Sequence, residues 1–434
     1  MDALVFLRER TRTRMGRVVF CLLCLMPPVG GLIGHLIGRR AWTFMDVDAV
    51  LCAARAEAAG VSPYGALHCP GLTPAAYVYA PQVAGWVAPA IRSLGAAGVH
   101  WAYVLCLFLP ALVLMLWFAL FRPLAGGDWR VRMLAMSGVA PMVFCSGNFG
   151  VVMHALVISS LLIWPRRRWV FVGLVLLCAV IKPTFLFYFL VPLFEARPWR
   201  QRLMTAGLSA IAGLGVVAAT LLTAGPLAGQ WRQALASVAL RDQPGLGWFA
   251  FTGWLNMAPD APATLALTLV FIVAMAASGV AIAEASKLDD GERVVLAVGL
   301  VPLLTPRLMD YDMLALVPFM TLLMRVTPAL GGRIFRYNVS WGFAGVLGFG
   351  IITNVLHVLR QWPHSHVAMA VFCVVVLAGG GRAAVKYWAV MEWEKGRGPR
   401  ERKKREKATL SGPLHIRRVV GGEDARRNAA GKVG

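Results

Sequence analysis

Charged side chains lie where long apolar stretches begin or end, and these residues are the best suited to chemistry. They include both acids and bases: Asp46, Asp48, Lys182, Arg307, Asp310 and Asp312. A charge close to hydrocarbon is costly, so it is usually paired or functional. A carboxylate can take a proton from a hydroxyl, and Lys or Arg can bind a phosphate. The set therefore suits a phosphate-linked donor and a hydroxyl acceptor, although structural ion pairs at helix ends would give the same pattern.

The composition of the chain indicates which elements must hold these residues. Of the 434 residues, 58% are hydrophobic and 15% are charged, whereas about a quarter of the residues in a soluble protein are charged. The hydrophobic residues form continuous runs close to the roughly 20 residues that cross a bilayer. In hydrocarbon each backbone polar group must be satisfied within its own segment, which favours helices over short alternating strands. The sequence therefore predicts an all-α polytopic membrane protein.

About twelve transmembrane helices are predicted, and several of them are short. Their approximate ranges are 17–38, 99–121, 133–146, 149–164, 169–181, 184–195, 203–224, 263–285, 294–305, 313–325, 338–359 and 366–386. Pro183 separates two short spans and is expected to break the helix there. Two long loops, 39–98 and 225–262, lie between spans. The aromatic and proline-rich part of the first loop suits short helices at the membrane interface.

The distribution of charge predicts the orientation of the chain. The net charge of +22 could suggest nucleic acid, but the basic residues crowd the N-terminus, alternate short loops and the tail. This pattern marks the cytoplasmic side of a membrane protein. Residues 1–16 are thus predicted to be a basic cytoplasmic N-terminus, 17–392 a transmembrane domain, and 393–434 a basic, disordered cytoplasmic tail. Loops 39–98 and 225–262 then lie outside, with the charged set on the external face.

Other motifs are few. The eight cysteines show no metal-ligand spacing, but Cys52 and Cys69 share the first external loop and could form a disulfide. The sequence contains no Walker loop, no HExxH and no GxSxG motif. If the chain is an enzyme, its substrate is expected to arrive through the membrane or at its outer face.

Six segments, in order within residues 40–330, are similar to the motifs of one enzyme family. They lie at 46–54, 60–64, 79–89, 147–148, 181–183 and 305–312. Residues 60–64 contain G-x-x-P-Y, and residues 181–183 are I-K-P. On these motifs the chain resembles glycosyltransferase family 87, the polyprenol-phosphate-mannose-dependent mannosyltransferases, which have the GT-C fold. It departs from the family pattern at Val50, Leu51 and Met309.

The resemblance implies a hexosyltransferase of a bacterial inner (plasma) membrane, with its active site at the external face. It would move a hexose, expected to be mannose, from a polyprenyl-phosphate donor to a lipid or glycan acceptor. Asp46 takes the position of the family's aspartate and is implied to be the catalytic base in a direct displacement at the anomeric carbon. That scheme requires no metal and no cofactor. Lys182 and Arg307 are the candidates for binding the donor phosphate.

The remaining candidate residues have supporting roles. Four of them lie near the proposed base and the proposed phosphate ligands: Asp48, Asp310, Tyr311 and Asp312. Asp48 is expected to be a partner of the site or a surface group. Tyr64 and Tyr79 could line an acceptor groove, although aromatic side chains at an interface are more often anchors. The expected partners are the donor, the acceptor and membrane lipids, and no nucleic acid.

Two other functions are compatible with the sequence. A transporter or flippase of lipid-linked or envelope precursors would also have many spans and buried charges, although such folds often show internal repeats and none is clear here. A noncatalytic assembly protein of envelope synthesis is the third interpretation. Transfer of sugar by the purified protein without any gradient would distinguish the enzyme from both.

Overall fold

The computed structural model describes residues 3–38, 43–65, 67–121, 128–163, 167–238, 245–356 and 364–395. Every regular element within these ranges is a helix, which confirms the predicted all-α class. The chain divides into two compact units, Met1–Ala384 and Val385–Gly434. The second unit contains the end of the last helix, and the predicted tail after residue 395 lies outside the described residues.

The α-helices within the described ranges are numbered in chain order. They are α1 (Ala3–Arg10), α2 (Arg14–Gly38), α3 (Met45–Ala58), α4 (Pro81–Tyr103), α5 (Leu109–Leu120), α6 (Trp129–Met136), α7 (Met142–Cys145), α8 (Phe149–Leu161), α9 (Arg168–Ile181), α10 (Trp199–Ala224), α11 (Leu227–Ser237), α12 (Trp248–Trp254), α13 (Pro262–Ala285), α14 (Asp290–Leu304), α15 (Met313–Val326), α16 (Arg333–Leu356) and α17 (His364–Lys395). A π-helical segment, Val104–Phe108, joins α4 to α5, and 3-10 helices span Pro183–Phe194, Asp310–Asp312 and Thr327–Leu330.

Six helical stretches within the described residues are long and apolar enough to cross a membrane. They are Arg14–Gly38, Pro81–Leu120, Trp199–Ala224, Pro262–Ala285, Met313–Leu330 and Ala368–Lys386. Each overlaps one of the spans expected from the sequence. Three shorter apolar helices, Phe149–Leu161, Arg168–Ile181 and Pro183–Phe194, accompany them. The membrane class is thus confirmed, while the total of about twelve spans stays a prediction.

Several long helices expose large apolar side chains, as expected where lipid is the solvent. Ile37 in α2 is 74% exposed, Leu222 in α10 is 82% exposed and Leu269 in α13 is 65% exposed. In water an apolar surface of this kind would mark an interaction site. Against hydrocarbon it costs little, because lipid tails are as apolar as leucine.

The predicted loop 39–98 contains helices, as was expected from its aromatic and proline-rich part, and they extend beyond that part. The helix α3 lies within it, and α4 begins at Pro81. The backbone leaves helical geometry at Gly95 (φ 69°), so α4 is broken between a first part, inside the predicted loop, and a second part that continues through the π-helical segment into α5. The predicted span 99–121 corresponds to this second part. The predicted span 133–146 is instead two short helices, α6 and α7, separated by a turn.

The chain breaks at Lys182, as Pro183 predicts. Lys182 is extended (φ −140°, ψ 99°) between α9 and the 3-10 helix Pro183–Phe194. A residue before proline is pushed out of the helical region because the proline ring clashes with its backbone. The break leaves Lys182 at the junction of two apolar segments, so its side chain can leave the helix surface.

The centre of the first unit is the pair α14 and α15. From Glu292 to Leu304 every residue except Val294 is buried, and in α15 every residue except Arg325 is buried. Helices that are apolar on all faces belong inside a bundle. The short connection between these two helices, residues 305–312, therefore emerges at the middle of the bundle, and it carries four of the predicted site residues.

Candidate functional site

The first turn of α3 is held against the end of α7, which fixes the position of Asp46. The amide of Phe44 donates to Cys145 O at 2.7 Å, and the amide of Asp46 donates to Ser146 O at 3.1 Å. Phe44 has a left-handed backbone (φ 62°), which is rare for a bulky residue. The chain thus enters α3 through a constrained turn that presents the Asp46 side chain at the start of the helix.

The next turn, Gly147–Asn148, supplies a partner for this carboxylate. Asn148 Nδ2 donates to Asp46 Oδ2 at 3.0 Å, while Asn148 Oδ1 accepts from the amide of Gly150 at 2.6 Å and caps α8. Gly147 has a φ of 67°, and a Cβ there would lie 3.2 Å from Phe44 Cδ1. A glycine is needed here both for the left-handed backbone and for the close approach of Phe44.

Asp48 faces a different way from Asp46 and is fully occupied by structural contacts. It is 5% exposed. One carboxylate oxygen lies 3.0 Å from His100 Nδ1, and the other accepts from the Thr73 amide at 3.1 Å. Asp48 therefore joins α3 to α4 and to the chain before it. Of the two roles predicted for this residue, the surface group is wrong, because the side chain is buried.

Lys182 and Tyr311 meet across the bundle. Lys182 Nζ lies 4.9 Å from the centroid of the Tyr311 ring. Tyr311 in turn packs on the start of α8, where a Cβ on Gly150 would lie 3.1 Å from the ring carbon Cδ2. A cation over an aromatic face is stabilised by the ring's quadrupole. The contact brings the break at Lys182 next to the connection between α14 and α15.

Asp312 is held in a buried chain of hydrogen bonds. It is 3% exposed, lies 2.9 Å from His154 Nε2 and accepts from the Met309 amide at 3.1 Å. The other ring nitrogen of His154 lies 2.6 Å from the Tyr188 hydroxyl. Both oxygens of Asp312 thus have partners, so the residue is a poor candidate for a base and a good one for a counter-charge to Lys182. His154 is not among the site residues predicted from sequence, although an ionisable residue inside an apolar span is a signal for a functional role.

Arg307 lies in the connection between α14 and α15, whose backbone accepts hydrogen bonds from residues 246 and 249. The amide of Leu246 donates to Leu308 O at 2.7 Å, and the amide of Phe249 donates to Pro306 O at 3.0 Å. These bonds fix the backbone on both sides of Arg307. Asp310 begins the 3-10 turn that follows, and its side chain lies outside the described residues.

The tyrosines predicted for an acceptor groove lie in a row of aromatic rings. Tyr64 donates its hydroxyl to Tyr79 O at 2.8 Å. Tyr79 is 6% exposed, and its ring centroid lies 5.4 Å from that of Phe149. Tyr79 is therefore part of the packing behind Asp46. Tyr64 is only partly buried and remains the better candidate for contact with an acceptor.

The electrostatics of Asp46 link the separate parts of the site. Burial raises the pKa of Asp46, against the hydrogen bond from Asn148 and the positive charges of Lys182 and Arg307, which oppose the rise. The charges of both predicted phosphate ligands thus reach the predicted base. A carboxylate with a raised pKa is a stronger base than an ordinary aspartate, which suits proton transfer near neutral pH.

Within the described part of the chain, no group of three or more His, Cys, Asp or Glu side chains could hold a metal ion.

Comparison with known proteins finds no matching family model, no similar curated protein and no similar solved structure. The resemblance to glycosyltransferase family 87 therefore stays a prediction, and the chemistry of the site must be argued from its own residues.

Proposed function

We propose that the chain is a membrane glycosyltransferase of GT-C type. It would move a hexose, for which mannose is the first candidate, from a polyprenyl-phosphate donor to a lipid or glycan acceptor at the external face. One observation carries the proposal: the partly buried carboxylate of Asp46 interacts electrostatically with two cations, Lys182 and Arg307. The three residues come from the first external helix and from two breaks far along the chain.

In the proposed reaction Asp46 takes the proton of the acceptor hydroxyl as its oxygen attacks the anomeric carbon. The bond between that carbon and the donor phosphate oxygen breaks, and the polyprenyl phosphate leaves with the bonding electrons. Negative charge grows on the phosphate during this step. Lys182 and Arg307 would stabilise it more in the transition state than in the ground state, which is what lowers a barrier.

The packing around the three residues supports this division of roles. Asn148 donates to one oxygen of Asp46, and the Ser146 side chain also forms a hydrogen bond with this carboxylate, so an acceptor hydroxyl would meet a carboxylate whose position is fixed. Tyr311 and Asp312 accompany Lys182, so this cation has an aromatic ring and a counter-charge beside it near an apolar region. A lipid phosphate with a long apolar chain suits a pair of cations that lie next to apolar helices.

The test is sugar transfer by the purified protein in detergent, with polyprenyl-phosphate mannose as donor and no ion gradient. Asp46→Asn keeps the size of the side chain and should reduce transfer by at least about a hundred-fold, the scale of losing a general base. Asp260→Asn is the matched control, because Asp260 is an exposed acid in the second external loop. It should transfer at the wild-type rate.

The same assay can contradict the proposal in two ways. Normal transfer by a folded Asp46→Asn variant would remove Asp46 from the chemistry. No transfer by the wild-type protein, together with movement of a lipid-linked sugar across a vesicle membrane, would favour the transporter or flippase instead. Asp48→Asn should be much milder than Asp46→Asn in the rate of transfer, because the Asp48 contacts are structural.

A further inference from the structure

A cavity of about 210 Å³ lies far from the candidate site, at the other ends of the same elements. It is lined by the end of α8, the start of α9, the end of the 3-10 helix Pro183–Phe194 and the start of α14. An α-helix rises about 1.5 Å per residue, so α9 and α14 place this cavity roughly 20 Å from the candidate site. The cavity is therefore a separate place in the molecule, and nothing in the proposed reaction uses it.

The polar side of the cavity is built from arginines that outnumber their carboxylates. Arg168 Nη2 and Arg197 Nε contact the same oxygen, Glu195 Oε2, at 2.6 and 3.0 Å. The side chains of Arg168 and Arg197 are 28% and 44% exposed, whereas Glu195 is 9% exposed. Two cations that share one carboxylate leave a net positive charge next to the cavity.

Behind this pair the same pattern is repeated. Arg202 and Arg293 both contact Glu284 Oε1, at 2.6 and 2.8 Å. Arg293 also donates to Phe194 O at 3.2 Å, which ties the second group to the end of the 3-10 helix. Asp290, an exposed residue of the lining, offsets part of the excess. The lining and its supports remain net positive.

The other side of the cavity is apolar. It is formed by Leu161, Leu162, Val191, Phe194 and Val294. A small inorganic anion would use only the arginines and would leave this wall in water. A molecule with an anionic head and a hydrocarbon chain would satisfy both sides.

Two tryptophans indicate that the cavity lies at the depth of lipid headgroups. Trp169, next to Arg168, is 70% exposed, and Trp199, at the start of α10, is 49% exposed. Tryptophan is enriched where a membrane protein meets the headgroup region. The segments around the cavity are also the basic ones, and the leaflet that faces basic loops carries anionic lipid.

We propose that this cavity binds one anionic glycerophospholipid from the leaflet on the basic side of the protein. Its phosphate would contact Arg168 and Arg197, and an acyl chain would lie along Leu162 and Val294. The site does not depend on the proposed transferase reaction. It is tested by lipid retention, so that its failure leaves the proposed function untouched.

The experiment is lipid retention by the full chain, reconstituted with equal amounts of phosphatidylglycerol and phosphatidylcholine. Native mass spectrometry after release counts the lipids that remain bound. The wild-type protein should retain phosphatidylglycerol over phosphatidylcholine. The variant Arg168→Gln, Glu195→Gln, Arg197→Gln leaves no carboxylate unpaired and should retain about ten-fold less, the scale of losing a charge-assisted hydrogen bond. Arg200→Gln changes an exposed arginine outside the lining and should behave as the wild type.

A second variant keeps the test decisive if the triple variant does not fold. Asp290→Asn removes the acid from the lining and should increase phosphatidylglycerol retention. Equal retention by the wild type, the triple variant and Asp290→Asn would overturn the proposal, as would equal retention of phosphatidylcholine by the wild type. Displacement of the lipid by millimolar inorganic phosphate or glycerol phosphate would show a site for a free anion instead, and would also overturn it.

Discussion

Two aspartates two residues apart in α3 have opposite surroundings, and this difference decides their roles. Asp48 is enclosed by His100 and the Thr73 amide, while Asp46 has one oxygen held by Asn148. Side chains at positions i and i+2 of a helix point in different directions. An acceptor must be able to reach the base. Asp48 is only 5% exposed, whereas Asp46 is partly buried and interacts with the charges of Lys182 and Arg307.

A second prediction about single residues concerns the proposed phosphate ligands. Substitution of Lys182 or Arg307 by Gln should reduce transfer by about ten- to a thousand-fold, as for the loss of one transition-state donor. Arg can bind a phosphate through two hydrogen bonds, whereas Lys acts as a point charge. Arg307→Lys should therefore recover only part of the rate. Steady-state kinetics at varied donor concentration would measure these effects, and a wild-type rate in the double Gln variant would remove the assignment.

The raised pKa of Asp46 predicts how the rate depends on pH. Asp46 can accept a proton only when it is ionised, so transfer should fall as pH drops through its pKa. Burial raises that pKa, and the acid limb should therefore lie above the pKa of an ordinary aspartate, about 3.9. Asn148→Ser keeps a helix cap but loses the amide donor that favours the carboxylate. Its acid limb should move to higher pH.

A pH–rate profile of the wild type and Asn148→Ser would test this, with stability checked at each pH. An acid limb that stays in place in the variant would show that Asn148 does not act on the base. Disappearance of the acid limb in Asp46→Asn would link it to Asp46.

Several site residues could be predicted from sequence, and their partners could not. Lys182, Arg307 and Asp312 stand out because a charge near an apolar run is unusual. Asn148 does not stand out in the same way, and although His154 is unusual within an apolar span, its pairing with Asp312 is not visible, since both residues have partners more than a hundred residues away in sequence. Local patterns carry no information on such pairs.

At the scale of elements, the site depends on places where helices end. Lys182 follows α9, Asn148 precedes α8, and the connection 305–312 joins the most buried pair of helices. A helix end inside a bundle leaves backbone groups that need partners, and it lets polar side chains meet in an otherwise apolar interior. The proline at 183 made one such end visible in the sequence.

The turn before α8 allows a direct test of this idea. Gly147→Ala would place a Cβ 3.2 Å from Phe44 Cδ1 on a left-handed backbone, at a cost of roughly 1–2 kcal/mol. The melting temperature should fall, and transfer should fall with it because Phe44 leads into α3. Gly173→Ala in α9 is the control, since a Cβ there meets nothing within 4 Å. Its melting temperature should stay the same or rise. Equal behaviour of the two variants would show that this turn does not position α3.

Hydropathy predicted the long helices and most of the short ones, including Phe149–Leu161 and Arg168–Ile181, and failed where a turn lies inside an apolar run. The stretches Arg14–Gly38 and Pro262–Ala285 are continuous, and a hydrophobic run of that length has few alternatives in a membrane. The predicted span 133–146 failed because a sliding window averages over a turn, although Gly138 and Pro141 lie within it. Short helices were expected in the aromatic and proline-rich part of loop 39–98, but not that α4 would begin at Pro81 and run on past Gly95 into the next span.

At the scale of the whole molecule, the structure gathers residues that the sequence assigned to one side of the membrane. The basic cluster of Arg202, Glu284 and Arg293 joins segments predicted to be cytoplasmic. Cys52 and Cys69, which lie in the predicted external loop, form a disulfide. A disulfide persists in an oxidising compartment, so this bond favours the same orientation as the basic loops do.

The orientation itself is the last prediction, and the proposed site depends on it. Basic loops on the inside place both termini in the cytoplasm and residues 39–98 outside. A reporter fused after Gly65 should therefore read as external, and one fused after Arg405 as cytoplasmic. Blocking free thiols before reduction should leave two cysteines, Cys52 and Cys69, for later labelling, because the other six are free. If both reporters give the same side, the number of spans between them is even, and the total number of spans is odd instead of twelve. The external face proposed for Asp46 would then lose its support, because the basic loops used to orient the chain would no longer share one side of the membrane.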